Sequence, residues 1–296
     1  MTTPALVLVA HGTRSPAGAA VTEALAGRLR ALRPELVVRA GYLGLVAPSL
    51  EEVLAGLHGR AVLVPLLLGT GYHLRADVPA AVAAAAARLR CRTAPALGPH
   101  PLLAEALADR LAEAGRDARS PAPVVLAAAG SSDPAARTDT ERMARLLALR
   151  TGVRVVPAYV SGDGPRPAAA VAELRAEGHE DVSVATYLTA PGHFSESVRR
   201  GVRDARAWGG VGDGGGVVVS DPLGAHEAVV RLVLRRYERA GGAAGFSGLT
   251  GLAGLTGPSG SHARSGSGSW RMRPAGTRSA ASLATSGPAM GGGPLT

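Results

Sequence analysis

The chain has 296 residues, enough for two domains of ordinary size, and its only cysteine excludes an internal disulfide and a zinc site built from cysteines. The formal net charge is +9, and all 32 basic residues are arginine. With two Phe, two Trp and no recognised nucleic-acid motif, the chain offers little for bases to stack on. We therefore expect no nucleic-acid partner.

Hydropathy gives an expectation about the compartment. No apolar run reaches the length of a membrane span, and the first residues lack the charged start of a secretory signal. We therefore predict a cytoplasmic protein with no membrane partner.

The first 120 residues alternate apolar strand-length runs with amphipathic helical segments. The pattern predicts strands at 6–10, 37–45, 61–68 and 92–97 and helices at 17–32, 48–58, 77–89 and 101–113. Asp77 is the predicted N-cap of the third helix, with Pro79 in its first turn. Because short turns join these elements, we expect a parallel sheet with right-handed crossovers and helices on both faces.

The same order of elements returns after a predicted linker at 115–123. The pattern predicts strands at 124–128, 153–159, 182–188 and 216–220 and helices at 137–149, 167–177, 195–206 and 225–239. The Gly-rich residues 207–216 predict a flexible loop. Residues 241–296 are mainly Gly, Ser, Thr, Ala and Pro without an apolar period, and we predict that they are disordered.

Segments of the first half recur in the second half in the same order, which indicates an internal duplication. The corresponding positions, at offsets of 117 to 126 residues, are His11 and Ala129, Tyr42 and Tyr159, His73 and His193, and His100 and His226. We therefore predict two similar α/β lobes, a first lobe at residues 1–120 and a second lobe at 121–240, followed by a tail at 241–296.

Two histidines of the first lobe follow strands whose carboxyl ends lie at the same edge of the predicted parallel sheet. His11 follows the first strand and His73 the third, and ligands of open α/β sheets bind at the carboxyl ends of the strands. Two neutral imidazoles at this edge suit a borderline divalent ion such as Fe²⁺, Co²⁺, Ni²⁺ or Zn²⁺, and an imidazole can move a proton near neutral pH. The alternative is that each histidine caps a turn or bonds a backbone carbonyl.

The segments around these histidines resemble those of a known enzyme family. The turn Ala-His11-Gly-Thr-Arg, the segment 65–79 through Gly-Thr-Gly-Tyr-His73-Leu-Arg, the element Leu-Gly-Pro-His100-Pro and the duplication are similar to the sirohydrochlorin chelatases. These class II chelatases insert iron for sirohaem or cobalt for cobalamin, and the resemblance covers about residues 4–240. It implies two doubly wound lobes around a cleft, in which His11 and His73 hold Fe²⁺ or Co²⁺ as a substrate and help to take protons from the macrocycle. No organic cofactor is implied, and the duplication implies a monomer.

Two positions depart from the pattern of that family. Where the family often has a glutamate, this chain has Gly44, and Ala129 stands in place of the first histidine of the second lobe. At most one complete histidine pair therefore survives, and His193 stands alone across the cleft. Three acids of the first lobe are candidates to replace the missing carboxylate: Glu51, Glu52 and Asp77.

Further polar residues in these turns are candidates to bind the substrate. The tetrapyrrole implied by the resemblance carries acetate and propionate groups, which would suit Arg14 and Arg75 in the loops of the two histidines. Ser131 and Ser132, which lie opposite His11 by the repeat, could hold a carboxylate with the N–H groups of the next helix. His193 is a further candidate of the second lobe to bind the substrate. The alternatives are a solvated turn for the arginines and a helix N-cap for the serines.

His100 and His226 each precede a predicted helix after a Leu-Gly pair. Their recurrence in both lobes indicates a shared structural role. We predict that both histidines cap the helices that follow them.

Three functions are compatible with these residues. The first is a lyase that inserts Fe²⁺ or Co²⁺ into sirohydrochlorin or a related tetrapyrrole, without a nucleotide, because no P-loop or dinucleotide-binding turn is present. The second is a histidine phosphatase with His11 as nucleophile and Arg14 as phosphate clamp, although Ala10 stands where that signature has an arginine. The third is a carrier of metal or tetrapyrrole without catalysis, because the usual glutamate is missing.

Overall fold

Strands and helices alternate along the chain in the structure, a computed structural model that describes residues 3–13, 15–44, 46–69, 71–208 and 216–241, with the backbone alone for residues 72, 73 and 205–208. The strands are β1 (Ala5–Ala10), β2 (Val38–Tyr42), β3 (Gly59–Pro65), β4 (Leu89–Thr93), β5 (Val124–Ala128), β6 (Val155–Tyr159), β7 (Val182–Tyr187) and β8 (Val217–Val219). The helices are α1 (Pro16–Leu32), α2 (Leu50–Ala55), α3 (Tyr72–Arg75), α4 (Asp77–Ala85), α5 (Pro101–Glu113), α6 (Pro134–Thr151), α7 (Pro167–Ala176), α8 (His193–Trp208) and α9 (Glu227–Gly241). The predictions of a flexible loop at 207–216 and of a disordered tail at 241–296 fall mainly on residues outside this described part.

The strands form two four-stranded parallel sheets of the same order. The first sheet is β2-β1-β3-β4 and the second is β6-β5-β7-β8. In the first, Val9 of β1 lies between Gly41 and Pro65. In the second, Ala128 of β5 lies between Tyr159 and Tyr187. The predicted α/β class, with two similar parallel-sheet lobes, is confirmed.

Every residue of β1 and β5 is buried, as expected for central strands of parallel sheets that are covered on both faces. Leu6 and Leu8 point to a central core that also contains residues of α1, α5, α6 and α9. Val7 and Val9 point to the opposite face, which α2 and α4 cover. In the second sheet, α7 and α8 cover the corresponding outer face. The central core thus joins the inner faces of both sheets.

The last helix of each lobe packs on the sheet of the other lobe. α5 packs against β7 and α6, whereas α9 packs against β3, β4 and α1. The buried Tyr237 of α9 donates a hydrogen bond of 2.6 Å to the carbonyl of Pro4, just before β1. Both sheets lie in one compact unit, and the domain boundaries 1–120, 121–240 and 241–296 stay a prediction.

The structure differs from the prediction around the fourth strand. β4 begins at Leu89, which pairs with Gly59, and ends at Thr93, whereas the predicted strand covered 92–97. The apolar residues from Ala94 to Leu97 are mostly buried, but in the connection to α5. Burial of that connection, rather than strand pairing, explains the apolar pattern there.

The N-cap of α4 and the start of α6 also differ from the prediction, and α2, α8 and α9 each begin two residues from the predicted position. The N-cap of α4 is Ala76 and not Asp77, which is the first helical residue, because the short helix α3 immediately precedes it. α6 begins three residues earlier than predicted, since Asp133 caps it and Pro134 occupies its first position.

The predicted capping by His100 and His226 is confirmed. His100 is the N-cap of α5, and its Nδ1 accepts a hydrogen bond from the N–H of Leu102 at 3.1 Å. Nδ1 of His226 accepts from the N–H of Ala228 at 3.2 Å, at the start of α9. The two histidines therefore fix the starts of α5 and α9, the helices that each pack on the sheet of the other lobe.

None of the helices in the described part combines the length and the apolar character that crossing a membrane requires.

Candidate functional site

A cleft of about 770 Å³ opens at the carboxyl ends of both sheets. Residues that follow β1 and β3 line it on one side, and residues that follow β5 and β7 line it on the other. Ligand sites for small molecules typically enclose about 300–1,000 Å³, and they lie at this edge of open α/β sheets. The cleft is therefore the candidate site, and both lobes build it.

His11 lies directly after β1 in a turn that lines the cleft, and its side chain is exposed there. The turn requires a glycine at the next position, because Gly12 has a φ of 91°. The loop after β2 lies alongside, since the N–H of Leu43 donates to the carbonyl of Ala10 at 3.0 Å. A Cβ at Gly44 would lie 3.2 Å from the carbonyl oxygen of His11. The position where the family often has a glutamate thus abuts the His11 turn.

His73 lies in α3, eight residues beyond the end of β3 at Pro65. β3 pairs with β1 in parallel, so the segments that carry the two histidines follow neighbouring strands and start at the same edge of the sheet, as predicted for that edge. The His73 side chain lies outside the described residues, and so does Arg14. A metal site shared by His11 and His73 stays a prediction.

The second lobe keeps the turn of the first lobe without its histidine. Ala129 lines the cleft at the position that corresponds to His11. Gly130 has a φ of 88°, and a Cβ there would lie 1.9 Å from the carbonyl oxygen of Ser161. The close approach of this backbone excludes any residue but glycine. The fold therefore fixes the turn in both lobes, and the histidine is a separate addition.

One of the two serines that follow this turn supports the cap of α6. The Ser131 hydroxyl accepts a hydrogen bond from the N–H of Asp133 at 3.0 Å, and the Asp133 side chain accepts from the N–H of Ala135 at 3.0 Å. Ser131 and Ser132 both line the cleft. Asp133 is therefore the N-cap of α6, so the N-cap alternative is wrong for both serines, and Ser131 supports the cap by binding Asp133. Binding of a substrate carboxylate by Ser131 and Ser132 stays a prediction.

Arg75 joins the two lobes beside the cleft. Its guanidinium donates to the Asp133 carboxylate, which caps α6. The Asp133 side chain is largely buried, whereas that of Arg75 is exposed. The arginine that we predicted to bind a substrate carboxylate thus holds a carboxylate of the protein.

His193 is the first residue of α8, and its exposed side chain lines the cleft next to Phe194. The loop before it contacts the His11 side of the cleft. A Cβ at Gly18 in α1 would lie 3.1 Å from the carbonyl oxygen of Pro191 and 2.4 Å from the Thr13 methyl group. The turn after His11 and the loop before His193 therefore meet where the lobes come together.

A tyrosine of the second lobe holds the loop that leads to His73. The buried Tyr187, at the end of β7, donates a hydrogen bond of 2.8 Å to the carbonyl of Leu68. A Cβ at Gly98 would lie 2.0 Å from the Tyr187 hydroxyl, so no larger residue fits beside this bond. Burial raises the pKa of Tyr187, which keeps the hydroxyl protonated as a donor. The sequence placed Tyr187 in a strand but carried no signal of its partner.

The cleft also contains charged residues that sequence reasoning missed. Arg137 of α6 and Asp163, in the loop after β6, both line it. We predicted that α6 starts at residue 137, which left Arg137 without a defined direction. Because the helix begins at Pro134, Arg137 lies in its first turn, beside the capped end. Without knowledge of the Asp133 cap, nothing in the sequence distinguishes Arg137 from the other arginines among the 32 in the chain.

Comparison with known proteins identifies the family of the chain. A model of the CbiX family matches residues 5–114 and matches again at residues 123–240. The chain belongs to the CbiX family. Each match lies within one predicted lobe, which supports the duplication, and the resemblance noted in the sequence is confirmed.

Curated relatives agree with this assignment. The sirohydrochlorin ferrochelatase of Bacillus subtilis strain 168 is 27% identical over 241 residues, which are 78% of this chain and 90% of that relative. The sirohydrochlorin cobaltochelatase of Methanosarcina acetivorans is 32% identical over 78 residues, which are 25% of this chain and only 60% of that relative. The solved structure of SirB from Bacillus subtilis with Fe³⁺ has a TM-score of 0.68 and 25% identity, covering 82% of this chain and 97% of SirB.

Proposed function

We propose that the chain is a lyase that inserts a divalent metal, Fe²⁺ or Co²⁺, into sirohydrochlorin or a related tetrapyrrole. The observation that carries this proposal is the repeated match to the CbiX family, because the two matches span both walls of the cleft. Relatives with the names of a ferrochelatase and of a cobaltochelatase both match the chain, so either metal is compatible with the family.

The histidines provide the chemistry that this reaction needs. Insertion of a divalent ion releases two protons from the macrocycle nitrogens, so the site must hold the ion and accept protons. His11 is exposed in the cleft at the end of β1, and His73 follows the neighbouring strand. We assign metal contact and proton acceptance to both residues. Each imidazole must be neutral for either role, and an unperturbed imidazole is mainly neutral above about pH 6.5.

We assign substrate binding to residues around the rim: Arg14, Arg75, Ser131, Ser132 and His193. Arg75 already holds the carboxylate of Asp133, which shows that its guanidinium is directed toward the second lobe. A substrate carboxylate at this point would compete with Asp133 or join it. Since one chain builds both walls of the cleft, we also propose that the protein acts as a monomer, without an organic cofactor.

Spectroscopy tests the proposal directly. Sirohydrochlorin is mixed anaerobically with Co²⁺ or Fe²⁺, and its absorption spectrum is followed with and without the protein at one tenth of the tetrapyrrole concentration. We expect the metal-free spectrum to convert over many equivalents per protein, faster than the spontaneous reaction. A carrier would stop at about one equivalent, and a phosphatase would hydrolyse p-nitrophenyl phosphate instead. A rate equal to that without protein would overturn the proposal.

A further inference from the structure

The second lobe contributes a cationic side chain to the cleft that none of the predicted roles includes. Arg137 is the one arginine among the described residues that line the cleft. Its side chain is about half exposed, at 51%, and its partner Glu141 is 3.6 Å away, beyond hydrogen-bond distance. An exposed pair of this kind contributes little to stability, so Arg137 is not committed to Glu141.

Arg137 is held above a buried tyrosine. Its guanidinium carbon lies 5.7 Å from the centre of the Tyr159 ring, within the range of a cation–π contact. Tyr159 ends β6 and lines the cleft, and only 3% of its surface is exposed. This contact places the guanidinium of Arg137 beside the ring of Tyr159 in the second lobe.

The Tyr159 hydroxyl is a buried polar group that makes no hydrogen bond within the described part of the chain. Leaving such a group unpaired is costly, and native proteins rarely do so without a ligand or a function. Burial raises the pKa of Tyr159, chiefly through loss of hydration. The charge of Arg137 opposes that shift, and so does a side-chain contact between its guanidinium and the hydroxyl that falls short of hydrogen-bond geometry. The hydroxyl therefore stays protonated and is available as a donor.

We propose that Arg137 and Tyr159 form a subsite for a carboxylate, one of the acetate or propionate groups of the tetrapyrrole. A guanidinium fork and a neutral O–H group both donate, so an acceptor anion bound beside both groups would satisfy both. Asp133 pairs with Arg75, and Glu141 lies beyond hydrogen-bond distance, so neither of these two acids fills this place. This subsite rests on the proposed function, because the tetrapyrrole supplies the carboxylate.

Substitution of Arg137 tests the subsite. In Arg137→Gln, we expect the Kd for metal-free sirohydrochlorin, measured by fluorescence quenching, to increase on the order of tenfold to a hundredfold, as for loss of a hydrogen bond to a charged group. KM should increase similarly while kcat changes little, because the carboxylate is bound equally in the ground and transition states. Tyr159→Phe should raise Kd by a smaller factor, and Arg137→Lys should recover part of the affinity.

The matched control is Arg145→Gln. Arg145 lies on the same helix, is exposed and does not line the cleft, so this variant makes the same change of charge away from the subsite. We expect its Kd to equal that of the unaltered chain. An equal increase in both variants would overturn the subsite, because general charge would then explain the affinity. An unchanged Kd in Arg137→Gln would overturn it as well.

The same measurements separate the subsite from the proposed function. If the unaltered chain inserts metal while Arg137→Gln keeps its Kd and KM, the subsite fails and the function stands. If the unaltered chain binds sirohydrochlorin through Arg137 but never inserts a metal, the enzymatic function fails and the subsite stands. If it binds no tetrapyrrole, both fail.

Discussion

The two lobes share one backbone plan but differ in the side chains that they present to the cleft. Both have the same strand order, a glycine with positive φ in the first turn, and a histidine that caps the last helix. The first lobe has His11 where the second has Ala129. In this duplicated chain, the features that the backbone requires are present twice, and the proposed histidine pair is present once.

The second lobe is nevertheless part of the first lobe's site. Its Tyr187 holds the loop that leads to His73, and its Asp133 holds Arg75. Its last helix, α9, covers the first sheet. The first lobe therefore carries the proposed metal ligands, and the second lobe holds residues of the first lobe in place.

The largest expected effect comes from the histidines. If the first lobe carries the chemistry, His11→Ala and His73→Ala should each lower kcat for Co²⁺ insertion about a hundredfold or more, as for loss of a general base. His193→Ala should lower it less than about tenfold. Stopped-flow or steady-state absorbance of sirohydrochlorin measures all three, and circular dichroism controls for folding. Equal losses in the three variants would break the division between the lobes.

A smaller effect is expected at Tyr187. Tyr187→Phe removes one hydroxyl bond to the Leu68 carbonyl, which should lower the free energy of unfolding by about 1 kcal/mol. The freed loop leads to His73, so kcat should also fall severalfold. Urea unfolding and turnover are measured on the same preparation.

Tyr237→Phe is the matched control for that variant. Tyr237 is equally buried, and it also donates to a backbone carbonyl, that of Pro4, away from the cleft. It should lose similar stability but keep kcat. If both variants lose kcat alike, Tyr187 has only a structural role.

A still smaller effect concerns the bridge between the lobes. Asp133→Asn keeps an N-capping side chain but removes the charge that holds Arg75. If Arg75 binds a substrate carboxylate, the variant should lower KM for sirohydrochlorin about twofold to fivefold, because Asp133 no longer competes. Arg75→Gln should raise KM instead. An increase of KM in both variants would show that the bridge serves to hold the lobes together.

The sequence predicted the sheets well and the polar contacts poorly. The apolar runs at β1 and β5 each follow a proline and end before a glycine turn, so strand pattern and burial coincide there. At β4 the apolar residues from Ala94 to Leu97 are buried in a connection, and the same pattern gave the wrong bounds. Contacts such as Tyr187 with Leu68, 119 residues apart, leave no periodic signal at either end.

The smallest expected effect is on the pH dependence of stability, and it concerns His100, one of the two capping histidines. His100 and His226 cap alike, but Arg236, Arg235 and Arg239 of α9 surround the first, whereas Asp109 lies 3.4 Å from Nε2 of the second. Burial, and then these arginines, lower the pKa of His100 below its value of about 6.5 in the unfolded chain. Below that pH the unfolded chain binds a proton at His100 that the folded chain does not bind. The contribution of neutral His100 to the free energy of unfolding is therefore complete above about pH 6.5 and is lost as the pH falls through the folded pKa.

His100→Asn keeps a capping side chain but removes the group that titrates. In urea unfolding at pH 8.0, 6.5 and 5.5, the variant should match the unaltered chain at pH 8.0 within about 1 kcal/mol and should lose less stability on acidification. Equal losses of stability on acidification in the variant and in the unaltered chain would contradict this expectation. They would show that the arginines of α9 do not lower the pKa of His100, which caps α5.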